Sequence, residues 1–406
     1  MESTSRSNRA VYVELYLFSF LQGLANGIWG FLSIFLLNIG GSALDVGVLG
    51  TVPGLASTFM QLAWGRISNR FGRSWQMVYT GFLLTSLFSI PVILSLKPWQ
   101  VILASGLQVF LGSIAGVAVT VSLASALSPE SRASFMGVYN PVGFAGNMVG
   151  NVLAGLLIPV IGYRQTLFGY TLINLAIALL VRFGLRGSDE AGFNYLRLFA
   201  SSFRELWRGL RELPGVMRRG GVYTRWCLGM AIRGFGFAMF GPISTVYLVQ
   251  ALMATEPQIG GLNSLAFAIR IMASPVLGWI AAKKGVKRIM LLGFSLGFLY
   301  PLVFTIAEDV SHLVPVYVLS GFFWSCINAS WFAWQMELIP RERGVYAGLL
   351  SFINGMAWAL GPFLGGLLGD VIGLQLSAII SSAAVLAGLL ILSKVPERLE
   401  VAPAQP

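Results

Sequence analysis

Two arginines interrupt long apolar stretches of the sequence, and they are the residues best suited to binding chemistry. Arg233 lies within the run at about 223–251 and Arg270 within the run at about 258–282. At a helical rise of 1.5 Å per residue, both guanidinium groups would come close to the middle of a bilayer. A charge at that depth costs at least about 2.5 kcal/mol on insertion scales, so a functional role is the first hypothesis.

The acidic residues provide neither arginine with a counter-ion at its own depth. Of the 16 acids, those that fall in or beside apolar runs lie toward the ends of these runs. They are Glu14, Asp45, Glu130, Glu256, Glu308, Asp309, Glu337 and Asp370. The sequence therefore predicts that an anionic substrate supplies the missing charge to Arg233 and Arg270. The structural alternative is that each arginine bonds backbone carbonyls or a neighbouring helix.

Uncharged side chains form a second set of candidate substrate contacts. Within three of the apolar runs they recur at intervals of three or four residues, so they share one face of a helix. The set comprises Gln22 and Asn26, Asn147 and Asn151, and Asn328 and Trp331. Such faces point into a bundle or a water-filled cavity, where amides and aromatic rings can hold an organic solute. Hydrogen bonding between helices is the alternative interpretation.

These residues need a scaffold that spans a membrane, and the composition indicates one. Of 406 residues, 56% are hydrophobic and 11% are charged, which is too apolar for a soluble domain of this size. Apolar runs of roughly 20 residues or more, the length that a bilayer core requires, occur twelve times. They lie at about 11–37, 45–66, 74–95, 99–127, 133–160, 164–184, 223–251, 258–282, 287–307, 312–338, 344–370 and 372–394. The prediction is an all-α membrane protein with twelve transmembrane helices.

The chain also contains two copies of one membrane unit. Gly137–Gly162 aligns without a gap on Gly348–Gly373, and Gly65–Arg73 returns in altered form at Gly278–Lys287. This repeat predicts two pseudo-symmetric six-helix bundles, at 1–185 and 223–406. Apolar residues recur at spacings of three and four among the arginines of the linker at 186–222. We expect an amphipathic helix there, lying on the membrane surface.

The basic residues predict the orientation of the chain. With both termini on one side, that side holds nearly all of the lysines and arginines outside the helices, whereas the other holds only Lys97 and Arg164. The positive-inside rule then predicts a multi-pass protein of the cell membrane with cytoplasmic N- and C-termini. It also accounts for the net charge of +11, so membrane lipids and no nucleic acid are the expected charged partners. Two cysteines, Cys227 and Cys326, fall inside apolar runs and are expected to be buried.

The segment Gly65–Arg73 reads G-R-I-S-N-R-F-G-R and, with its weaker echo at Gly278–Lys287, resembles the signature loop of the major facilitator superfamily. The family usually carries an acid at the fifth position of this loop, where the present chain has Asn69. The resemblance implies a short basic hairpin loop that acts as a conformational gate. Its residues would be Gly65, Asn69, Arg70, Gly72 and Arg73. Glu337 resembles the helix-end acid of the family, with Arg343 and the Lys283–Arg288 loop as expected partners in a latch that stabilises the outward-facing state.

The sequence thus favours a monomeric secondary transporter that moves a small organic anion by alternating access. Because no acid lies at mid-membrane, Glu14 is the candidate for proton coupling. One alternative is a proton-coupled exporter of amphipathic, drug-like compounds, since G-P-F-L-G-G and G-N-V-L-A-G partly resemble the antiporter signature of the family. In the second segment, however, Asn151 replaces the proline of that signature. Another alternative is a lipid-moving or receptor-like relative that carries no soluble solute.

Motifs of soluble enzymes are absent from the sequence. There is one histidine, His312, and no metal-ligand cluster, phosphate loop or set of nucleophile and base. We therefore expect neither an enzyme nor a bound metal or cofactor.

Overall fold

The computed structural model describes residues 2–71, 74–126, 129–184, 207, 211, 214–215, 217–218, 221–338 and 343–398. Within these residues, twelve helical segments are long and apolar enough to cross a membrane, six before the linker and six after it. The α-helices are α1 Glu2–Trp29, α2 Leu32–Asn38, α3 Ala43–Phe71, α4 Ser74–Leu94, α5 Pro98–Gly112, α6 Ile114–Ala126, α7 Pro129–Ile161, α8 Tyr163–Phe183, α9 Gly221–Val246, α10 Glu256–Lys284, α11 Val286–Phe304, α12 Leu313–Leu338, α13 Arg343–Ile372 and α14 Leu374–Ser393. The predicted all-helical fold with twelve spans is confirmed.

The twelve spans alternate in direction, so α1 begins and α14 ends on the same side of the molecule. We call this side the terminal side and the opposite one the far side. Two spans are divided: α1 and α2 form the first, with a break at Gly30–Phe31, and α5 and α6 form the fourth, with a break at Ser113. The seventh span continues from α9 into a π-helical turn, Tyr247–Ala251. Single helices were expected in each case, because hydropathy does not register a local change of winding.

The internal repeat is visible in matched backbone geometry. Gly162 and Gly373 precede α8 and α14, with φ of 89° and 88° respectively, a conformation that favours glycine. Each of their carbonyls accepts a hydroxyl hydrogen bond from the first turn of the next helix, from Thr166 at 2.9 Å and from Ser377 at 2.7 Å. The two halves therefore share one backbone plan, as the repeat predicted.

The two repeated basic segments are more helical than the sequence suggested. A loop was expected over Gly65–Arg73, but α3 continues to Phe71. In the second copy, α10 continues to Lys284 and only Gly285, with φ of 100°, separates it from α11. Beyond the apolar core water can solvate the helix surface, so the backbone remains helical until a glycine permits a sharp turn. Gly72, Arg73 and the side chains of Asn69 and Arg70 lie outside the described residues, as does nearly all of the 186–222 linker.

The two bundles meet through α3 on α13 and α7 on α10, from the far ends of these helices to about their middles. Glycines allow the closest approach: Gly366 packs against the backbone of Ala43, and Gly155 packs against that of Glu256. These two contacts are equivalent under the internal repeat. The far side of the molecule is therefore closed by a matched pair of helix contacts.

Hydrogen bonds between the bundles reinforce this closure. Phe363 N–H donates to Thr51 Oγ1 at 3.0 Å, and Ser264 Oγ donates to the Met148 carbonyl at 2.9 Å. Nearer the far ends, Leu44 N–H donates to Asp370 Oδ2 at 2.9 Å, and the Tyr163 hydroxyl donates to Glu256 Oε1 at 2.6 Å. The α3–α13 pair thus contributes two polar contacts to the far-side seal, and α10 contributes one contact with α7 and one with α8.

Both cysteines of the chain lie in the interior of the C-terminal bundle. Cys227 on α9 and Cys326 on α12 are free thiols with no exposed surface. The expectation that they serve as small buried side chains is confirmed.

Candidate functional site

A cavity of about 240 Å³ lies between the two bundles and is built mainly by the C-terminal one. Its walls come from α9 and the π-helical turn, α10, α11 and α12, with a small contribution from α2 and from the break between α1 and α2. The lining residues are Gly30, Ile34, Ser244, Thr245, Leu248, Ile259, Asn263, Ala266, Phe267, Arg270, Tyr300, Tyr317, Ser320 and Trp324. Arg270 is the one charged side chain in this lining, which includes no carboxylate.

Arg270 is half-buried, and aromatic rings hold its guanidinium group. The guanidinium carbon lies over the rings of Phe267, at 4.7 Å from the ring centre, and of Trp324, at 5.2 Å. Phe267 precedes it by three residues on α10, so helical geometry brings the two side chains together. Trp324 comes from α12, which reaches α10 closely because Gly321 packs on the Ala266 carbonyl. The Arg270 Nε is buried and has no hydrogen-bond partner in the described part of the chain.

Hydroxyl-bearing residues line the α11 and α12 walls of the same cavity. Tyr300 lies within electrostatic range of Arg270, and Ser320 is next to the Tyr300 hydroxyl. The Tyr300 ring is itself fixed among aromatic neighbours, with Phe240 at 5.3 Å and Phe323 at 5.5 Å between ring centres. The cavity therefore joins one cation to rigidly held hydroxyl donors, which is an arrangement suited to an anion.

Arg233 is in a different place from Arg270. It is 1% exposed within the C-terminal bundle, and its guanidinium carbon lies over Phe237, Phe294 and Trp331 at 5.3, 4.7 and 5.9 Å. Its Nε and Nη1 have no hydrogen-bond partner among the described residues. Arg233 does not line the cavity; the Phe237 ring, 5.8 Å from that of Trp324, stands between Arg233 and the cavity wall. The structure thus separates two arginines that the sequence grouped together.

Gln22 and Asn26 lie on the face of α1 that leads to the cavity. Gly30, which lines it, is one helical turn beyond Asn26 and two beyond Gln22. The Asn26 side chain is exposed and that of Gln22 is half-buried. The offset of 211 that relates α7 to α13 also relates α1 to α9, and it pairs Gln22 with Arg233.

Asn147 and Asn151 hydrogen-bond to each other. The Asn151 side-chain amide donates to the Asn147 carbonyl at 2.9 Å and to Asn147 Oδ1 at 2.8 Å. Asn151 is 4% exposed, where α7 packs on Gly27 of α1 and Gly260 of α10. Both hydrogen bonds lie within α7, so they are neither a substrate contact nor the hydrogen bonding between helices that the sequence left as the alternative. Asn151 Oδ1 also lies near Gly30 at the edge of the cavity.

Asn328 and Trp331 separate along α12. Asn328 is exposed one turn from Trp324, on the terminal side of the cavity. Trp331 instead packs against the buried group, with its ring centre 5.9 Å from that of Trp226 and the Arg233 guanidinium above its face. Of this pair, Asn328 is the one placed beside the cavity wall.

The two acids predicted to act in the transport cycle both lie at the terminal side. Glu14 reaches the end of α8, where its carboxyl group is adjacent to Gly184. Glu337 pairs with Arg398, Oε2 to Nε, at 3.2 Å. The expected partner of Glu337 was the α10–α11 turn, but Glu397 occupies that position and accepts from Lys287 N–H at 3.4 Å. The tail after α14 folds back over the bundle, which is why its charges replace the predicted partners; the side chain of Arg343 lies outside the described residues.

Several cavity residues were not among the candidates from the sequence. Asn263, Phe267 and Arg270 share one face of α10, and this spacing could have identified the first two. Tyr300, Tyr317 and Ser320 carry no comparable signal, because hydroxyl groups are frequent in membrane helices and usually bond their own backbone.

Comparisons with known proteins give one family and a consistent fold. The family model described as Major Facilitator Superfamily matches residues 15–228 and 226–405. The chain is 31% identical over 163 residues to the multidrug resistance protein MdtG of Serratia proteamaculans (strain 568), a match that covers 38% of each protein. It is 29% identical over 174 residues to MdtG of Yersinia enterocolitica, covering 41% of each. The matches thus span about two fifths of the length of these curated relatives.

Solved structures resemble the whole chain at low sequence identity. A POT family transporter in complex with 5-aminolevulinic acid superposes with a TM-score of 0.74 at 13% identity, covering 95% of this chain and 96% of that one. The nucleoside transporter NupG gives 0.73 at 13% identity, covering 95% and 99%. A bacterial homologue of the human lysosomal transporter Spinster gives 0.72 at 13% identity, covering 98% and 99%. At this level of identity, the likeness shows the fold.

Proposed function

The chain belongs to the major facilitator superfamily of membrane transporters, and on this premise we propose that it carries a small organic anion bound at Arg270. One observation carries the proposal: Arg270 is the single charged residue that lines the cavity, and its buried Nε has no hydrogen-bond partner among the residues that the structure describes. An unpaired guanidinium inside a membrane protein is costly unless an anion or water compensates it. A substrate anion would supply that compensation during transport.

The position of the cavity supports a transport role. It lies where the two bundles face each other, and the bundles close over it on the far side through α3–α13 and α7–α10. A site between two repeats can be exposed alternately to either side when the repeats rock against each other. We further propose that the terminal side is cytoplasmic, in keeping with its excess of basic residues, and that the protein acts as a monomer among membrane lipids.

A second candidate function is the export of amphipathic, drug-like anions. It is favoured by the apolar part of the lining, which includes Ile34, Leu248 and Ile259 beside the aromatic wall. The name of the MdtG relatives points the same way. Both candidates need Arg270, so they differ in the size of the substrate and in the direction of transport.

The test compares two charge-removing substitutions on the same helix. Purified protein is screened for ligand-induced thermal stabilisation against organic anions, cations and neutral amphiphiles, and the ligands found are then assayed in proteoliposomes. Arg270→Gln should weaken binding and transport at least about tenfold, the effect of losing a charge-assisted hydrogen bond. Lys284→Gln, at the exposed end of α10, is the control and should behave as the wild type. Normal anion transport by Arg270→Gln would refute the proposal.

Energy coupling needs a separate experiment, since no carboxylate lines the described cavity. The hypothesis from the sequence is that Glu14 carries a coupled proton. Glu14→Gln should then abolish accumulation driven by a pH gradient while exchange of substrate continues. If the variant still accumulates substrate, the proton does not travel on Glu14.

A further inference from the structure

We propose that the substrate is a monocarboxylate that bears no other charge. This inference rests on the proposed function and deepens it by assigning a chemical class to the anion. It is carried by the number of charges in the cavity lining, the planar group that Arg270 presents, and the absence of a site for a second charge.

The charge count comes first. Arg270 contributes one positive charge, and the other residues of the lining are neutral. A ligand with one negative charge makes the occupied site neutral, whereas a dianion, a cation or a zwitterion leaves a charge without a partner in a low-dielectric environment. Single negative charge is therefore the state that the cavity favours.

The shape of the cationic group selects among single anions. A guanidinium presents its donors as a flat fork, which matches the two coplanar oxygens of a carboxylate. The rings of Phe267 and Trp324 lie against the guanidinium and hold its orientation. Tyr300 and Ser320 add hydroxyl groups to the same lining. A phosphate monoester would bring a second negative charge near neutral pH, for which the lining has no second cation.

A substrate ammonium group finds no counter-ion in this lining. A carboxylate is the group that neutralises a buried ammonium, and the lining includes no carboxylate. The neutral oxygens of the lining can accept hydrogen bonds but supply no charge. The faces of Phe267 and Trp324 are already engaged by the Arg270 guanidinium. Amino acids and amines should therefore bind poorly, even when they share the carboxylate or the ring of a true substrate.

The remainder of the lining describes the uncharged body of the substrate. Ser244 and Thr245 donate their hydroxyl protons to the Gly241 carbonyl, at 2.8 and 3.2 Å. Each of these hydroxyl oxygens thus keeps a lone pair that can accept a hydrogen bond from a hydroxyl group on the ligand. Ile259 and Leu248 give apolar contact nearby. A hydroxylated monocarboxylate satisfies both kinds of wall.

The first experiment varies charge on one small ring. Binding of benzoate, 4-hydroxybenzoate, benzamide, phthalate, phenyl phosphate, phenylalanine and benzylamine to the purified full-length protein is measured at pH 7. We expect 4-hydroxybenzoate and benzoate to bind at least about tenfold more tightly than the neutral, dianionic, zwitterionic and cationic members, as expected for one desolvated ion pair. Preferred binding of phthalate, phenyl phosphate or phenylalanine, or no binding by any member, would overturn the inference.

The second experiment changes the charge of the site itself. Asn263→Asp places a carboxylate in the lining, two helical turns from Arg270. It should weaken benzoate binding at least about tenfold and improve binding of phenylalanine, because the site then offers both charges. Asn38→Asp, at the exposed end of α2 and outside the lining, is the matched control and should leave the ranking unchanged. A retained preference for benzoate in Asn263→Asp contradicts the inference.

Arg270→Gln separates the two levels of the proposal. If dianions or zwitterions are the preferred ligands and Arg270→Gln abolishes their binding, the substrate class is wrong and the anion-transport function stands. If binding is independent of Arg270, both are wrong.

Discussion

The N-terminal and C-terminal bundles share a backbone plan but place different chemistry at equivalent positions. Gln22 on α1 corresponds to Arg233 on α9, Asn147 on α7 to Trp358 on α13, and Asn151 on α7 to Pro362 on α13. Where the N-terminal bundle has amides, the C-terminal bundle has a cation, an indole and a proline. The repeat therefore preserves the way helices pack while leaving the side chains free to diverge.

The interiors of the bundles differ in the same sense. Among the described residues of the N-terminal bundle, the buried polar contacts are neutral, such as the Ser89–Thr171 hydroxyl pair at 2.6 Å and the donation from Asn174 to the Tyr170 carbonyl at 2.8 Å. In the C-terminal bundle Arg233 lies among aromatic rings. The cavity follows this division, because its cation and most of its aromatic and hydroxyl groups come from the C-terminal bundle. The comparison indicates that the polar and charged side chains of a cavity can come mainly from one bundle, while contacts between both bundles close the far side.

The largest difference between the halves should appear when Arg233 and Gln22 are truncated. Arg233→Ala removes a large, fully buried side chain and should lower stability by about 2–5 kcal/mol, whereas half-buried Gln22→Ala should cost less than about 1 kcal/mol. Thermal unfolding in detergent measures both. Arg233→Met retains much of the packing without the charge and should be close to wild type. If Arg233→Met lowers stability as much as Arg233→Ala does, the positive charge itself stabilises the C-terminal bundle. Packing would then not explain the difference between the two bundles.

The next prediction concerns the glycines that the two halves place at equivalent contacts. Gly366→Ala and Gly155→Ala each insert a methyl group against a backbone of the other bundle. Overpacking of this kind costs about 1–3 kcal/mol, and relief comes from separating the far ends. Faster hydrogen–deuterium exchange in peptides covering 43–54 and 256–266 would report that separation. Gly40→Ala is unsuitable as a control because Gly40 has φ of 91°; Gly116→Ala, with open space around it, should leave exchange unchanged.

Removal of the equivalent seal hydroxyls should have a smaller effect. Thr51→Val and Ser264→Ala each delete one hydrogen bond between the bundles, worth about 0.5–1.5 kcal/mol. Thr51→Val should lie at the upper end because it leaves the Phe363 N–H without its acceptor. The same exchange experiment compares them. An effect confined to one variant would mean that the two helix pairs do not share the closure.

The smallest change in stability is expected from the Glu337–Arg398 ion pair, which joins the chain after α14 to the C-terminal bundle. Glu337 and Arg398 are 39% and 77% exposed, so solvent screens their attraction. Glu337→Gln or Arg398→Gln should therefore change stability by no more than about 1 kcal/mol. High salt should have a similarly small effect on the wild type. A large loss in either variant would show that the tail contributes to the difference between the bundles as much as their interiors do.

The architecture could be predicted from the sequence because its signals are local and repeated. Apolar runs of bilayer length identify twelve spans, and aligned glycines such as Gly162 and Gly373 identify the repeat. Arg270 was found for the same reason, since a charge within an apolar run is conspicuous. The boundaries were less accurate where helices extend past the bilayer core, as α3 does to Phe71.

The grouping of site residues required information that the sequence lacks. The position of a residue along a helix gives its depth in the membrane, so the sequence placed Arg233 and Arg270 at the same depth and in the same role. Their environments depend on how α9 and α10 are rotated against α11 and α12, and this is set by packing. Likewise, the i, i+4 spacing of Asn147 and Asn151 correctly predicts a shared face, but it does not show that the two side chains bond to each other.

The burial of Cys227 and Cys326 has a practical consequence for observing this transporter at work. Neither thiol has exposed surface, and the chain has two cysteines in all, so the native protein should react slowly with maleimide dyes. Fluorophores could then be attached at chosen positions without first replacing the native residues. Asn26 and Asn328 are exposed on facing bundles near the cavity, and dyes at these two sites would record the separation of the halves in single molecules as ligand binds and leaves.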